Sequence, residues 1–260
     1  MADAIHVLEG DVAIVTGGRR GIGRAIALAF AEAGATVCIC DVVTQDGKLD
    51  AVAREVQQFG QRSLALGIDI SHRAEVEGMV QQVISEFGKI DILANCAGIW
   101  VPGQTLVECD ESNWDRVVNT NLKGTHFCCQ ASAKEMIDRR RGNIINIASD
   151  LGINPLPGIG AYAVSKAAII MLTRQLALEL GKYRIRVNAI APGMIKTDMN
   201  IETRSTPEVE REIAGKRVLG RLGEPSDISK TAVYLASGNS DHVTGQTIVV
   251  NSGGVIPSSP

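Results

Sequence analysis

VAIVTGGRRGIGRAIA, residues 12–27, decides the fold. Val12 to Thr16 form a short apolar, β-branched run that reads as a buried strand. Gly17, Gly21 and Gly23 follow, and an alanine-rich helical pattern runs from about Gly21 to Ala33, closed by Gly34 as a C-cap. A strand that passes through a glycine turn into a helix opens a βαβ unit. Glycines there let the backbone approach a pyrophosphate, and the helix N-terminus supplies amide donors and positive potential. The spacing is Gly-x-x-x-Gly-x-Gly, not the Gly-x-Gly-x-x-Gly of the general dinucleotide fingerprint. A tight strand-to-helix turn would by itself account for such a cluster.

Beyond this unit the same alternation continues. TVCICD (Thr36 to Asp41), SLALGID (Ser63 to Asp69), DILANCAG (Asp91 to Gly98), NIINIAS (Asn143 to Ser149), IRVNAIAP (Ile185 to Pro192) and QTIVV (Gln246 to Val250) read as six further strands. Helices are expected at about Asp46 to Phe59, Ser71 (as cap) to Phe87, Glu111 to Asp138, Gly160 to Gly181 and Pro225 to Ala236. Continuous apolar strands separated by helices argue for a parallel sheet covered on both faces. Right-handed crossovers then make one doubly wound α/β domain of seven strands over residues 1–260. Met194 to Arg221 is polar, with only a short helical pattern from Pro207 to Lys216. It follows strand six, where such sheets bind their ligands, and is expected to form a lid.

Asp41 ends strand two, eighteen residues after Gly23. A carboxylate there accepts hydrogen bonds from an adenosine ribose diol. It would repel the 2′-phosphate of NADP by roughly 3 to 7 kcal/mol before screening, for charges ~5 Å apart at an effective dielectric of ~20 to 40. Val42 follows, so the local sequence sets no cation beside the acid, although Arg19 or Arg20 of the glycine loop could reach such a phosphate or stand solvated. NAD is therefore expected, with NADP the lesser alternative. Asp69 fits either an adenine contact or the acid at a helix N-terminus. Asn95 is expected to hold neighbouring backbone, with cofactor contact from the NCAG segment around it.

Tyr162 and Lys166 lie four apart in AYAVSKAAI, on one helical face. Ser149 ends the preceding strand. A phenol, an ammonium and a hydroxyl at one pocket supply an acid/base, a cation to tune it and a donor for an oxygen: the needs of carbonyl reduction or alcohol oxidation. For Tyr162 to act as a base near neutrality its pKa must fall from ~10 to about 7, about 4 kcal/mol. One ammonium at ~4 Å and a dielectric of ~20 would supply roughly that.

With these pieces in place the chain resembles the short-chain dehydrogenase/reductase family over essentially its whole length. The resemblance rests on TGGRRGIG (16–23), NCAG (95–98), NTNLKG (119–124), NIAS (146–149), YAVSK (162–166) and PGMIKTDM (192–199). It implies a catalytic set of Asn121, Ser149, Tyr162 and Lys166, with Asn121 holding a water that links Lys166 to solvent. It implies cofactor contacts from Gly17, Arg20, Gly21, Ile22, Gly23, Asp41, Asp69, Ile70, Asn95, Ala97, Gly98, Tyr162, Lys166, Pro192, Gly193, Ile195 and Thr197, and a homotetramer. NCAG stands for the commoner NNAG and NIAS for NISS, and Asn251-Ser252 stands where an aspartate before Gly-Gly is usual, a change expected to alter packing near the C-terminus.

Composition narrows the alternatives. The net charge of −3 gives no reason to expect nucleic-acid binding. Arg139, Arg140 and Arg141 are expected as a solvated helix cap. The six cysteines have neither disulfide nor metal-ligand spacing, so no metal is expected, and free thiols suit a cytoplasmic protein. The N-terminus lacks a signal-peptide pattern, and no apolar run is long enough to span a membrane. The partner is then a small alcohol or ketone. Trp100, Asp150, Leu151, Pro155, Leu156, Pro157, Met194 and Met199 are candidate substrate contacts, with Asp150 equally able to hydrogen-bond its own loop. An NADPH-dependent 3-oxoacyl-thioester reductase is the runner-up enzyme. A nucleotide-binding scaffold without catalysis is the alternative of another class, against which the intact Ser149, Tyr162 and Lys166 argue.

Overall fold

A computed structural model describes residues 6–103 and 105–254. Seven strands form one parallel sheet in the order β3-β2-β1-β4-β5-β6-β7. They are β1 (Val12–Thr16), β2 (Thr36–Asp41), β3 (Ser63–Gly67), β4 (Ile92–Asn95), β5 (Gly142–Ile147), β6 (Ile185–Pro192) and β7 (Thr247–Val250). The order reverses between β1 and β4, which opens a crevice at the carboxyl edge of the sheet, where doubly wound folds bind ligands. Eight α-helices are described: α1 (Gly21–Glu32), α2 (Lys48–Gln58), α3 (Arg73–Phe87), α4 (Glu111–Val118), α5 (Thr125–Arg139), α6 (Gly160–Leu180), α7 (Pro207–Gly215) and α8 (Pro225–Ala236).

Two layers of core flank the sheet. On one face Ile26 and Phe30 of α1, Leu49 and Val52 of α2 and Ile228 and Leu235 of α8 pack on β1, β2 and β4. On the other, Met79 and Val83 of α3 and Phe127 and Met136 of α5 cover Ile14, Leu93 and Ile144. Strands buried on both faces lose the period-two alternation, which is why they read as continuous apolar runs. Pro at the first turn of α7 and of α8 suits its missing N–H to the unpaired amides of a helix start.

Three local expectations change. The single helix expected over 111–138 is α4 and α5 joined by a π turn, Asn119–Gly124. The N-cap of α3 is His72, not Ser71, because the Asp69 carboxylate accepts from the Ser71 N–H at 2.9 Å and closes a turn first. The three exposed arginines do sit at the end of α5, with Arg139 in its last turn and Arg140 as C-cap, but they are also tied to specific acceptors. Arg139 donates to buried Asp91 at 2.6 Å, Arg141 to Asp11 at 2.8 Å, and Arg140 to the Lys182 carbonyl. Each finds a fixed acceptor within reach, two of them carboxylates at the amino-terminal edge of the sheet. All six cysteines are free, and burial pushes the Cys40, Cys96 and Cys129 thiols up to about 12. Among the described residues no helix is long and apolar enough to cross a membrane.

Candidate active site

The glycine loop between β1 and α1 is a cradle. Gly17 has φ +64°, and a Cβ on it would sit 2.7 Å from the Ala97 Cα. A Cβ on Gly23 would lie 2.2 Å from the Gly17 carbonyl oxygen. Neither position accepts a side chain, so the loop stays thin and its amides open to the crevice. Thr16 locks the loop to β4: its hydroxyl accepts from the Cys96 and Ala97 N–H groups, both at 3.1 Å. Asn95 is buried; its amide donates to the Asn146 side chain at 2.9 Å while its own carbonyl oxygen finds no partner. Ile22 packs partly buried against one core, and Ile70 is buried in the other.

On the other side of the crevice, Ser149 follows β5, and its hydroxyl accepts from the Leu151 N–H at 3.2 Å. Tyr162 lies on the first turn of α6, hydrogen-bonded to Ser149. Lys166, one turn on and buried, donates to the Ile147 carbonyl at 2.7 Å, and its Nζ stands 5.6 Å from the Tyr162 ring centre. Asn121 sits in the π turn, fully buried. Its carbonyl oxygen accepts from the Ile99 N–H at 2.8 Å, and its amide donates to the Ile99 carbonyl and the Ser165 hydroxyl, both at 3.0 Å. Asn121 and Lys166 meet over Gly98, where a Cβ would lie 3.3 Å from the Asn121 Oδ1 and 3.5 Å from the Lys166 Nζ. The four residues drawn from β5, α6 and the π turn thus converge beside the glycine cradle.

The electrostatics differ from expectation. Burial pushes the Tyr162 phenol up to about 12, with the Asp150 carboxylate adding to the rise and the Ser149 hydrogen bond opposing it. The ammonium that was expected to pull the phenol down does not do so. Lys166 is itself penalised by burial, which brings its pKa down to about 8, and one of its three N–H groups is held by the Ile147 carbonyl. Asp150 is also buried, and burial raises its carboxyl; Asn251 donates to it at 3.3 Å. The Asn251 departure thus reaches the loop that follows β5.

Arg19 corrects the picture around Asp41. A cation does stand there: the Arg19 Nε is 3.4 Å from the Asp41 Oδ1, although the two lie 22 positions apart in the sequence. Arg20 pairs with Asp198 at 3.1 Å and so joins the glycine loop to the segment after β6. That segment begins at Pro192 and Gly193, whose N–H donates to Val250. Ile195 is buried and bridges to Gly223, leaving its backbone as the part near the crevice. The Thr197 methyl would lie 3.3 Å from a Cβ on Gly21, so this residue covers the loop. Asp69 is held by its own turn and lies beyond β3. Leu151, Pro155, Leu156 and Pro157 line a cavity of about 370 Å³ against α6. Trp100 has a buried indole N–H without a partner, Met194 receives the Asn200 amide on its sulfur, and Met199 is exposed. Asp46, Asp198 and the Asn251–Asp150 contact were missed in the sequence, because each acts through a residue far away in the chain.

These features fit a nicotinamide dinucleotide: a cradle that excludes Cβ atoms, unpartnered buried groups at Arg19 Nε and Asn95 Oδ1, and a carboxylate at the end of β2. Residues 17–254 match the family model described as enoyl-(acyl carrier protein) reductase. The chain is 40% identical to the 3-oxoacyl-[acyl-carrier-protein] reductase FabG of Thermotoga maritima, covering 96% of this chain and 99% of that one. It is 41% identical to the (2S)-[(R)-hydroxy(phenyl)methyl]succinyl-CoA dehydrogenase subunit BbsD of Thauera aromatica, over 95% and 97% of the two chains. Among solved structures, a short-chain type dehydrogenase/reductase from Mycobacterium marinum matches with a TM-score of 0.90 and 35% identity, over 97% and 98% of the two chains. The chain belongs to the short-chain dehydrogenase/reductase family. It is an oxidoreductase that acts at C=O and CH–OH groups with a nicotinamide cofactor.

Proposed function

We propose that this protein is an NAD(H)-dependent secondary-alcohol dehydrogenase and ketone reductase with Tyr162 as its general acid/base. The observation that carries this reading is the meeting of Ser149, Tyr162 and Lys166 beside the glycine cradle, with Asp41 at the end of β2. When bound, the dinucleotide supplies or accepts the hydride. Ser149 donates to the substrate oxygen and stabilises its growing negative charge during reduction. Tyr162 gives that oxygen its proton, or takes it in the oxidising direction. Lys166 binds ribose hydroxyls and returns the proton to Tyr162. Asn121, facing Lys166 across Gly98, holds the end of a water path that resupplies it. Gly17, Arg20, Gly21, Ile22, Gly23, Asn95, Ala97, Gly98, Pro192, Gly193, Ile195 and Thr197 bind the cofactor, largely through backbone, with Asp69 and Ile70 at its adenine end.

Steady-state kinetics test the cofactor assignment: kcat/KM is expected to favour NADH at least tenfold over NADPH, roughly 1.4 kcal/mol. A panel of secondary alcohols, ketones and 3-oxoacyl thioesters, followed by NADH and NADPH absorbance, tests the substrate. Two observations favour a second reading, an NADPH-dependent 3-oxoacyl-thioester reductase: the FabG relatives and the cation beside Asp41. Cofactor binding without turnover on any substrate would instead identify a silent nucleotide-binding scaffold. Residues 1–260 act as one domain, with 194–221 as the substrate lid. We assign a homotetramer, supported by the apolar Val164, Met171 and Leu178 exposed on α6, and checked by light scattering. Buried free thiols support a cytoplasmic location, checked by fractionation.

A further inference from the structure

Between β2 and α2 two carboxylates hold one guanidinium. Arg19 is buried, 9% exposed. Its Nη1 donates to the Asp46 Oδ2 at 2.5 Å, and its Nε stands 3.4 Å from the Asp41 Oδ1 without making a hydrogen bond there. Both acids are fixed by backbone: Asp41 accepts from the Val43 N–H at 3.0 Å, and Asp46 accepts from the Lys48 N–H at 3.1 Å at the start of α2. The Lys48 ammonium lies 3.7 Å from Asp46 but is 58% exposed, so solvent screens it. The cluster thus sets two carboxylates, Asp41 largely buried and Asp46 nearer the surface, against one buried guanidinium.

On the reading that Asp41 binds the adenosine ribose, Arg19 adjoins the ribose hydroxyls. A free arginine in that place would attract a 2′-phosphate. Here Asp46 accepts from Nη1, one of the donors a bidentate phosphate contact would use, and offsets the guanidinium charge. The buried Nε–H beside Asp41 makes no hydrogen bond and is a donor open to a neutral hydroxyl. We propose that Asp46 is a specificity-determining residue for the cofactor: it clamps Arg19 against Asp41 and turns a potential phosphate anchor into part of a diol site. Asp46 acts through Arg19 and need not touch the cofactor.

The substitution Asp46→Asn keeps an oxygen to accept the Lys48 N–H and removes the charge. Taking one carboxylate charge from ~7 Å of a phosphate dianion, at an effective dielectric of ~60, strengthens NADPH binding about tenfold. NADH carries no 2′-phosphate and its affinity changes less than threefold. Fluorescence titration of NADH and NADPH with the full chain, without turnover, reads both dissociation constants. The expected result is a tenfold fall in the NADPH-to-NADH ratio of Kd for Asp46→Asn. Arg19→Gln, which leaves two unopposed acids, is expected to raise that ratio. A ratio within twofold of wild type in Asp46→Asn, or tighter NADPH binding in Arg19→Gln, overturns the proposal. Asp46→Ser, whose hydroxyl also accepts the Lys48 N–H, gives the same reading should the asparagine variant fail to fold. A wild-type protein that binds NADPH at least as tightly as NADH would refute NAD preference alone. The fall in ratio on removing Asp46 is still required by the clamp.

Discussion

Replacing Lys166 by Met should separate stability from activity through pH. The side chain is buried, 4% exposed, and burial lowers its pKa from 10.5 to about 8. The unfolded chain therefore binds the proton more tightly than the folded one. Below pH 8 the folded protein carries the full cost of that difference, about 3 kcal/mol, and stability is regained as pH rises from 8 towards 10.5. Methionine keeps a similar stem and escapes this cost, but it leaves the Ile147 carbonyl without its donor, a loss of ~1 to 3 kcal/mol. The two effects nearly cancel at pH 7, so the sign of the difference there is not the test. Its pH dependence is. At pH 10 the lysine is discharged in the fold, and the cost falls to about 1 kcal/mol, so the variant loses about 2 kcal/mol relative to wild type between pH 7 and pH 10. At ~2 to 4 °C per kcal/mol, the gap in Tm moves by several degrees. Urea unfolding of both proteins at the two pH values reads the same quantity as a free energy. A gap independent of pH would refute the buried, discharged lysine.

Tyr162→Phe should bind NADH within a few fold of wild type and lose at least ~10²-fold in turnover, measured by fluorescence titration and NADH absorbance; retention of a tenth of the activity would contradict the acid/base role. Asp150→Asn removes a negative charge that raises the Tyr162 pKa, so the acidic, ascending limb of the alcohol-oxidation profile should move to lower pH; an unmoved limb would mean that Asp150 does not reach the phenol. Gly23→Ala sets a Cβ 2.2 Å from the Gly17 carbonyl and should abolish cofactor binding while the far half of the sheet still folds, seen by titration beside circular dichroism. Asp91 accepts from Arg139, Lys89 and the Val12 N–H, which together hold its carboxyl below the ordinary range despite burial. Asp91→Ala should cost about 3 kcal/mol in urea unfolding, since it strands a cation and an amide. In the wild type the stabilisation from Asp91 is present above its unfolded pKa and is lost as pH falls through the folded one.

Much of this architecture was legible in the chain. Ile185–Pro192 and Pro225–Ala236 match their expected bounds, because an apolar run or a proline start marks each end locally. The convergence of Ser149, Tyr162 and Lys166 followed from the i, i+4 rule and the position of a strand end. The π turn was not legible, since NTNLKG has ordinary helical character and only the packing of α4 and α5 on different neighbours widens it. The partners of the arginines were hidden for another reason. Nothing near Arg20 points to Asp198, 178 residues away, and nothing near Arg141 points to Asp11. The tuning of Tyr162 was misjudged because the sequence supplies the ammonium but not its burial or its hydrogen bond to Ile147.

The π turn at Asn119–Gly124 has a consequence for how the chain can vary. A turn of this kind carries one residue more than an α-turn, and each residue advances the helix by ~100°. It therefore acts as a phase shifter. α4 presents its inner face to α6, whereas α5 presents its inner face to α3 and β4. The extra residue rotates α5 relative to α4, so the two helices dock on only partly shared neighbours. Deleting one residue from 119–124 would restore ordinary winding and rotate either Trp114 or Phe127 out of phase with its neighbours. The amide of Asn121 would turn away from Ile99 with it. The irregularity is thus the joint that lets one continuous rod serve two packing surfaces and still fix the Asn121 amide between Ile99 and Ser165.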